Sequence, residues 1–378
     1  MFISTDQTKF AKACTAVMFF VASAMLPVAA SAVRAVVTEV GADPTGKTDS
    51  TLASQKCIDR VSAAGGGTVF VPPGEYRILY LMLRPRVRLE LAGGAERATD
   101  GWTPEVAARA MDPSQSAIIR SVADRKGRGW LFLFNLVPPT AATNGFSDIT
   151  VSGGVFDCEG RYLPGAFACG RNIRIENMVV KDLPNNHAFQ IDGCTNVVVT
   201  NCLFAGYTFG GKRSSVLTRE TIQVEQTSPG ALSGNPKNTP ISCAPEVSVP
   251  NRNVSVTGCW FGPSERLGPH LIPLGHHGRP RSCDGLVFAG NVVVNPLYCG
   301  LRLANVSDVR VEGNTFISTN TSPRLAKDSA IVCLWGKKAL APGEKGVEIR
   351  DNRVILAPES PLRRLSVSDP RKDEITTD

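Results

Sequence analysis

The sequence lacks the features that identify several common classes of protein. None of its eleven cysteines stands at C-x-x-C spacing, which argues against a structural zinc site. After residue 32 no stretch reaches the roughly 20 apolar residues that cross a bilayer. Basic residues are scattered, without the Lys/Arg-rich tract or module that nucleic-acid binding requires. We therefore expect no nucleic-acid partner, no structural metal and no membrane span in the mature protein.

The N-terminal residues have the pattern of a secretory signal peptide. Lys9 and Lys12 precede an apolar run, residues 13–28, and Ala30-Ser31-Ala32 provides a small-x-small cleavage site. The alternative, a membrane anchor, would need a longer run of roughly 20 residues. The sequence therefore predicts that residues 1–32 are removed and that the mature protein is soluble and either secreted or periplasmic.

Export has consequences for charge and for cysteine chemistry. Residues 1–32 carry one acid and two lysines, so their loss lowers the formal charge from +7 to about +6. A mild basic excess suits an acidic polysaccharide as partner. One cysteine leaves with the signal, and an even number remains in an oxidising compartment. Disulfides are therefore expected, with Cys158–Cys169 and Cys243–Cys283 as the plausible pairs.

One motif recurs through the chain: an apolar-x-apolar triplet, followed five residues later by another apolar residue. Successive copies begin 24, 24, 57, 32, 23 and 38 residues apart, which indicates a repeat of about 24 residues with insertions. The seven copies are Ile149/Val151/Phe156, Ile173/Ile175/Val180, Val197/Val199/Phe204, Val254/Val256/Phe261, Leu286/Phe288/Val293, Val309/Val311/Phe316 and Val347/Ile349/Val354.

Short strands at this interval, with no helical pattern between them, predict coils that stack into a β-solenoid. Equivalent positions then form ladders with a spacing of about 4.8 Å. Asn291, Asn314 and Asn352 share one such position, three residues after the second apolar residue, with Cys202 and Cys259. We interpret all five as internal ladder residues that satisfy turn backbone.

An amphipathic helix is predicted ahead of the coils. Residues 48–64 place Cys57, Ile58 and Val61 on one face, and Gly65-Gly66-Gly67 ends the pattern. Such a helix would cap one end of the solenoid.

The segments around this helix resemble the opening of the pectate-lyase-like β-helix superfamily. They are Val40-Gly41-Ala42-Asp43, Gly46-Lys47-Thr48-Asp49 and the run from Gly66 to Tyr76. The resemblance covers residues 37–95 and implies an all-β fold, a right-handed parallel β-helix (pectin-lyase-like solenoid) with an N-terminal capping helix. Lyases, hydrolases, epimerases and phage tailspikes share this opening, so the reaction stays open. We expect one domain over residues 33–356 and a tail, rich in Pro and charge, over residues 357–378.

Counting along the coils indicates which polar residues share a face. Ile191 lies six residues before Val197, and Leu303 lies six before Val309, so both should face inward. Residues 219–225 repeat the form of residues 187–192, which pairs Gln223 with Gln190 and Glu225 with Asp192. Nine residues form the candidate site: catalytic Asp192, Glu220, Glu225 and His276, and substrate-binding His187, Gln190, Gln223, His277 and Arg302. All except Gln190 are expected to converge on one lateral groove, and Gln190 should share the outward face with Gln223 and Arg302.

Part of this region also resembles the polygalacturonases, in which Asn-Thr-Asp, Asp-Asp, Gly-His-Gly and Arg-Ile-Lys stretches follow in order. Here they read Gln190-Ile191-Asp192, Val224-Glu225, Gly275-His276-His277-Gly278 and Leu301-Arg302-Leu303. One acid of the pair and the final Lys are missing, which puts an inverting hydrolase mechanism in doubt. His270, between Pro269 and Leu271 and with no acidic neighbour in sequence, is interpreted as part of a solvated face without a catalytic role.

Three functions fit these residues. The first is a lyase that acts by β-elimination on a uronic-acid polysaccharide, with Arg302 or a Gln against the substrate carboxylate and His276 or His277 as the base. The second is a glycoside hydrolase that uses Glu220 or Glu225 with Asp192. The third is a non-catalytic glycan-binding surface protein. No cofactor is predicted, and the sequence leaves open the calcium requirement, the sugar, the linkage and the oligomeric state.

Overall fold

Short strands form three parallel sheets in the computed structural model of this chain. Residues Val33–Asp378 belong to one compact unit. The structure describes residues 33–122, 133–135, 146–161, 164–208, 219–226, 232–233, 242–243, 249–275, 283–304, 306–319, 330–335, 346–358, 363–367 and 375–377.

The first sheet has eleven strands, each hydrogen-bonded to the next in chain order. They are Val33–Val36, Gly67–Val71, Val87–Leu91, Ile149–Gly153, Arg171–Glu176, Thr195–Thr200, Asn251–Thr257, Cys283–Ala289, Val306–Glu312, Val347–Arg350 and Ile375–Thr377.

The second sheet has ten strands in the same kind of order. They are Thr45–Asp49, Gly74–Ile78, Ala117–Ser121, Val155–Asp157, Val179–Leu183, Leu203–Tyr207, Trp260–Gly262, Val292–Val294, Thr315–Ser318 and Arg353–Leu356.

The third sheet has nine strands and carries most of the candidate site. They are Leu81–Met82, Leu133–Phe134, Gly165–Ala168, Phe189–Asp192, Glu220–Glu225, Ile272–Gly275, Leu301–Ala304, Ala330–Trp335 and Arg363–Val367.

From Gly67 onward the chain visits the first, second and third sheets in turn, and strands of successive visits pair in parallel. This is the predicted all-β fold, a right-handed parallel β-helix. Strands at 363–367 and 375–377 continue the third and first sheets into the segment assigned to a tail. One antiparallel pair, Leu232–Ser233 with Ser242–Cys243, forms a separate two-stranded sheet.

The capping helix is confirmed and spans Thr51–Ala63. It begins three residues later than predicted because the Asp43 carboxylate accepts hydrogen bonds from the backbone N–H of Thr45 (2.8 Å) and Thr48 (2.8 Å). These bonds hold Thr45–Asp49 in the second sheet. A second helix spans Pro104–Ala110, and two short 3₁₀ helices span Val37–Val40 and Ala98–Asp100.

The repeated apolar residues fill the interior, as predicted. In the first six copies, both apolar residues of the triplet and the apolar residue five positions later are buried. In the seventh copy Val347 is buried, and Ile349 and Val354 are half-buried. Aromatic rings continue from coil to coil, and the centroids of the parallel Phe204 and Phe261 rings lie 4.8 Å apart. Successive coils therefore bury one another's apolar rows, which a single coil could not do.

The predicted internal ladder is also confirmed. The Asn314 Oδ1 atom accepts from the Asn291 backbone N–H at 2.9 Å, and the Asn352 Oδ1 atom accepts from the Asn314 backbone N–H at 3.0 Å. Two coils earlier, the Cys202 backbone N–H donates to the Cys259 sulfur at 3.4 Å. These side chains satisfy turn backbone that the interior would otherwise bury unpaired.

The two predicted disulfide pairs are wrong. Cys158 is a fully buried thiol behind the second-sheet strand Val155–Asp157, whereas Cys169 follows the third-sheet strand Gly165–Ala168, so the two belong to different faces of one coil. Cys283 is a buried thiol as well, and the side chain of Cys243 lies outside the described residues. Burial in the apolar interior raises the pKa of the Cys158 thiol, which keeps it protonated.

Candidate functional site

The register of the third sheet brings five predicted site residues into two adjacent rows. Gln190 pairs with Gln223, and Asp192 pairs with Glu225, as the sequence comparison predicted. Gln223 pairs in turn with Gly275, which pairs with Arg302. Since paired residues of neighbouring parallel strands project to the same face, the amides and the guanidinium form one row and the two carboxyls the next.

Within these rows, the carboxyl group of Asp192 has a raised pKa. Asp192 is 1% exposed, and its Oδ2 atom accepts a hydrogen bond from the Gln190 amide at 2.8 Å. Among the described residues its Oδ1 atom has no hydrogen-bond partner. Burial, and after it the Glu225 charge, raises the pKa of Asp192 well above its ordinary value of 3.8, against a lowering by the Gln190 bond. Asp192 therefore retains a proton where ordinary carboxyls have lost theirs.

The neighbouring acid is more open. Glu225 is half-buried, and its Oε2 atom accepts from the Gln223 amide at 2.7 Å. Each glutamine thus orients the acid two residues along its own strand, and the arrangement repeats in two adjacent coils. The result is a pair of fixed carboxyl groups in different environments, which is how proteins separate the roles of an acid and a base.

A buried ion pair adjoins the row. The Arg302 Nη1 atom lies 3.6 Å from the Glu220 Oε1 atom, and Glu220 is fully buried. Gly275 lies between the two strands, and a Cβ atom there would stand 2.7 Å from the Glu220 Cγ atom and 2.8 Å from the Arg302 carbonyl oxygen. The missing side chain of Gly275 is therefore what lets Glu220 approach Arg302.

We predict that Gly275→Ala separates this ion pair. The added methyl group must displace Glu220 or the Arg302 strand, so we expect a loss of about 1–3 kcal/mol in stability and reduced activity. Thermal unfolding and turnover measure the two effects. Gly268→Ala is the matched control, because its nearest neighbour, the Tyr207 carbonyl oxygen, would lie 3.9 Å from the new Cβ atom. Equal behaviour of both variants would contradict the prediction.

His187 and His270 occupy different environments. The His187 Nδ1 atom lies 2.6 Å from the Glu220 carbonyl oxygen, and the side chain is buried. His270 is in the interior, where its Nδ1 atom lies 2.6 Å from the Thr221 hydroxyl and its Nε2 atom 3.1 Å from the Phe204 carbonyl oxygen. His270 is thus a structural histidine in the interior and not part of a solvated face. His276 and His277 lie outside the described residues.

Burial lowers the pKa of His270 from 6.5 to about 3. A lowered histidine pKa gives stability that is complete above 6.5 and is lost as the pH falls toward 3. We expect the free energy of unfolding to fall by about 4 kcal/mol over that window through this group. Thermal unfolding across the window should show a shallower decline for His270→Gln than for the parent, and an equally steep decline would contradict the assignment.

Asn251 is a site residue that the sequence comparison missed. Its Nδ2 atom donates to the Glu225 carbonyl at 2.7 Å and to the Ile191 carbonyl at 3.1 Å, and its Oδ1 atom accepts from the Cys194 backbone N–H. It therefore ties together the ends of the two acid-bearing strands. The sequence could have indicated this role, because Asn251 lies two residues before Asn253, which adopts the αL conformation at a strand start. The insertion after Glu225 prevented the assignment of Asn251 to a coil.

Most described members of the site are packed rather than spread along an open groove. Asp192, Gln223, Glu220, His187 and Arg302 are buried. Gln190 and Glu225 are half-buried and form the accessible edge. A groove of about 700 Å³ lies instead on the outer face of the first sheet, and none of the described site residues lines it.

Two negative findings apply to the described part of the chain. No group of three or more His, Cys, Asp or Glu side chains there is arranged to hold a metal ion. Within the same residues, no helix has both the length and the apolar character of a membrane span.

The three parallel sheets and the N-terminal cap define a β-helix protein with the pectate-lyase-like fold. Residues 34–99 match the family model described as "Rhamnogalacturonase A/epimerase, pectate lyase-like". The crystal structure of PfbA, a surface adhesin of Streptococcus pneumoniae, has a TM-score of 0.68 at 22% identity and covers 91% of this chain and 76% of that one.

Two curated relatives are similar in sequence. Plasmin and fibronectin-binding protein A of Streptococcus pneumoniae is 27% identical over 310 residues, which is 74% of this chain and 38% of that protein. Alginate lyase 7 of Azotobacter vinelandii is 30% identical over 171 residues, 40% of this chain and 17% of that protein. The chain thus spans well under two thirds of the length of either relative.

Proposed function

We propose that this protein is an exported enzyme that cleaves an acidic, uronate-containing polysaccharide by β-elimination. The observation that carries the proposal is the fixed pair Asp192/Glu225, with a raised pKa at Asp192 and the Arg302 guanidinium in the adjoining row. The family description and the alginate lyase relative support a polysaccharide as the class of substrate.

Elimination at a uronate needs three functions. A cation or hydrogen-bond donor must neutralise the carboxylate, a base must remove the proton at C5, and an acid must protonate the leaving oxygen at C4. The row of Gln190, Gln223 and Arg302 supplies donors and a cation for the carboxylate. Asp192, whose pKa is raised by burial, supplies the acid, and Glu225 beside it lies at the accessible edge.

The ion pair gives Arg302 a fixed position. A guanidinium held by a buried carboxylate keeps its fork in one orientation, so little side-chain entropy is lost when it meets a planar carboxylate. Glu220, predicted from the sequence as catalytic, would then serve to hold Arg302 and would not itself react. The sequence assigns the base to His276 or His277, and that assignment remains a prediction.

Two carboxyl groups side by side also suit hydrolysis. In that alternative Asp192 donates the proton to the leaving oxygen and Glu225 activates water or attacks the sugar. No third group is needed for this reaction, so Arg302 would contribute to binding alone. The same residues therefore support elimination or hydrolysis, and the products distinguish them.

A binding protein is the third candidate, because one relative is named for binding plasmin and fibronectin and PfbA is described as an adhesin. Incubation of the purified chain with alginate, pectins, polygalacturonate and glucuronan tests all three. Ultraviolet absorbance of unsaturated uronate in the products supports elimination. Reducing ends without that absorbance mean hydrolysis, and polysaccharide binding without either product means that the site only binds.

A further inference from the structure

A ladder of amide side chains runs along the outside of the solenoid, where the first-sheet strands begin. The Asn172 Nδ2 atom donates to the Asp148 Oδ1 atom at 2.7 Å, and the Asn196 Nδ2 atom donates to the Asn172 Oδ1 atom at 3.1 Å. The Asn253 Nδ2 atom continues the series with a bond of 3.1 Å to the Asn196 Oδ1 atom. All four residues have positive φ, between 54° and 58°, a conformation in which Asn and Asp are enriched. Each side chain of this outer ladder therefore fills the space beside the next.

The outer ladder is interrupted at Gly285. The pairing of the flanking residues places Gly285 opposite Asn253, and it places Asp308 opposite Gly285 in the following coil. The Val309 backbone N–H donates to the Gly346 carbonyl at 3.1 Å, which puts Gly346 opposite Asp308 on the other side. Gly285 and Asp308 keep the positive φ of the ladder, at 77° and 51°. The Asp308 side chain thus stands between two residues that have none, with a notch on each side.

These notches open into the groove of about 700 Å³ on the outer face of the first sheet. The floor of this first-sheet groove is the next outward-facing row of the sheet, whose members pair from coil to coil. They are Val198, Ser255, Val287, Arg310 and Glu348. The groove therefore follows the solenoid axis over five coils, or four spacings of about 4.8 Å. Its volume is within the range of ligand sites, about 300–1,000 Å³, and its straight course suits an extended chain.

The lining of the first-sheet groove suits the hydroxyl groups and the C–H faces of sugar rings. A Cβ atom at Gly285 would lie 2.9 Å from the Asn253 Oδ1 atom, so this acceptor borders one notch. Asp308 is exposed on the other side of the same notch, and its carboxylate is an acceptor as well. The hydroxyl of the half-buried Ser255 both donates and accepts. The two valines of the floor are half-buried and offer apolar surface between these polar groups.

The charged residues of the first-sheet groove favour an uncharged ligand. Among the described lining residues, Arg310 supplies one positive charge, and Asp308 and Glu348 supply two negative charges. Arg310 and Glu348 each lie near an opposite charge, at 4.0 Å from Glu312 and 3.2 Å from Arg350. A polyanion would therefore meet no surplus of positive charge in the groove, which lowers its affinity. An uncharged polyhydroxyl chain avoids this repulsion and can use the carboxylates as acceptors.

We propose that the first-sheet groove binds an extended, uncharged glycan chain. Neighbouring hydroxyl groups of one sugar donate to the Asn253 and Asp308 oxygens across the notch at Gly285. The Ser255 hydroxyl bonds to the chain from the floor, and the C–H faces of the rings pack on the two valines. Binding here goes beyond the proposed elimination, because none of the described third-sheet site residues lines the groove and no bond is made or broken in it.

Isothermal titration of the full mature chain with hexasaccharides tests the binding. Cellohexaose, xylohexaose and mannohexaose are extended and uncharged, whereas maltohexaose is uncharged but curved, and hexagalacturonate is extended but charged. We expect at least one of the three extended, uncharged chains to bind, and to bind more tightly than maltohexaose. Absence of binding by all three up to millimolar concentration overturns the proposal, and so does a preference for maltohexaose.

Gly285→Asn fills the notch by continuing the outer ladder, and Asn tolerates the positive φ of this position. The nearest atom to the new Cβ atom is the Asn253 Oδ1 atom, the end of a side chain that can turn away. The variant displaces two hydrogen bonds of the sugar, so we expect binding to weaken by at least about tenfold, with a thermal midpoint near that of the parent. Gly313→Asn is the matched control, because Gly313 has a φ of 62°, does not line the groove and has no atom within 4 Å of an added Cβ atom. Equal affinities in the two variants overturn the proposal.

Asp308→Asn is a second variant, which keeps the shape of the side chain and the backbone conformation. Asn retains an acceptor oxygen but loses the charge, and charge-assisted hydrogen bonds are roughly twice as strong as neutral ones. We therefore expect the best hexasaccharide of the titration to bind about fivefold more weakly. Parental affinity in Asp308→Asn overturns the proposal even if Gly285→Asn does not fold.

Hexagalacturonate distinguishes the first-sheet groove from the third-sheet site. If it binds to the parent, we expect Gly285→Asn to leave its affinity and its turnover unchanged. Loss of hexagalacturonate binding in that variant means that the groove takes an acidic chain, which overturns the proposal. Failure of the proposed elimination leaves the titration unaffected, because binding is measured without turnover.

Sedimentation velocity tests whether a second copy of the chain occupies the groove instead. We expect Gly285→Asn and the parent to have the same oligomeric state. A parent dimer that Gly285→Asn converts to a monomer identifies the occupant as a second copy and overturns the proposal.

Discussion

Asp192→Asn is expected to lower turnover by 10² to 10⁴-fold and to leave the folded protein more stable at neutral pH. The first effect follows because an Asn side chain has no carboxyl proton to transfer, whereas the Asp192 carboxyl has one. The second follows because burial raises the pKa of Asp192 above 3.8, so the folded state resists the ionisation that the unfolded chain undergoes.

The sign of the stability effect can be worked out from that shift. A raised carboxyl pKa gives stability that is complete below the unfolded value of 3.8 and is lost as the pH rises through the folded value. Asn removes this loss and still accepts the Gln190 hydrogen bond. Thermal unfolding should therefore show that the stability of Asp192→Asn relative to the parent increases as the pH rises, with no difference at about pH 4.

Glu225→Gln is the matched variant, since Glu225 occupies the paired position on the next strand and accepts from Gln223 in the same way. It should lose activity to a similar degree. Loss of activity together with unfolding in both variants would indicate a structural role for the pair. Near-normal turnover of Asp192→Asn would exclude the pair from the chemistry.

Asn314→Ala is expected to destabilise the solenoid by about 3 kcal/mol or more, the largest stability effect of the substitutions considered. Asn314 is 1% exposed. Its Oδ1 atom accepts from the backbone and side chain of Asn291, and its Nδ2 atom donates to the Phe288 carbonyl at 2.8 Å and to Asn352 at 2.8 Å. Ala leaves these buried groups without partners, which should lower the thermal midpoint by about 5 °C or more.

The chain contains its own control for this ladder. Cys202 and Cys259 occupy the equivalent position in two earlier coils. There the Cys259 sulfur accepts a hydrogen bond from the Cys202 backbone N–H, whereas in the next coil the Asn291 Oδ1 atom accepts from the Cys259 backbone N–H. Asn314→Cys should therefore cost less than Asn314→Ala. If both variants unfold at the temperature of the parent, the ladder contributes little to stability.

The pairing of residues between neighbouring coils could be predicted from the sequence where the repeat is uninterrupted. It could also be predicted across an insertion if the motif on both sides of it is still recognisable. Gln190 and Gln223, and Asp192 and Glu225, pair as counting suggested, because a shift of one residue would have turned apolar Ile191 or Val224 outward. The same argument gave the Asn ladder. Asn251 was missed because its role depends on carbonyls of two other coils, which no spacing in the sequence records.

The disulfide predictions failed for a related reason. Export and an even number of cysteines favour bridges only if two sulfurs can approach within bonding geometry. Cys158 instead fills an interior position, where a thiol packs as a small apolar group. Composition could indicate a compartment, but it could not distinguish a bridge from a buried thiol.

The sequence by itself determined the solenoid, the identity of its interior rows and the pairing of its amides and acids. These follow from periodicity, because each coil must bury its apolar residues against the next. Only the tertiary structure decided that Asp192 is buried with a raised pKa, that Gly275 admits Glu220 to Arg302, and that His270 lies in the interior between Thr221 and Phe204. Burial, close approach and hydrogen-bond direction depend on atoms far apart in the chain, and folding alone brings them together.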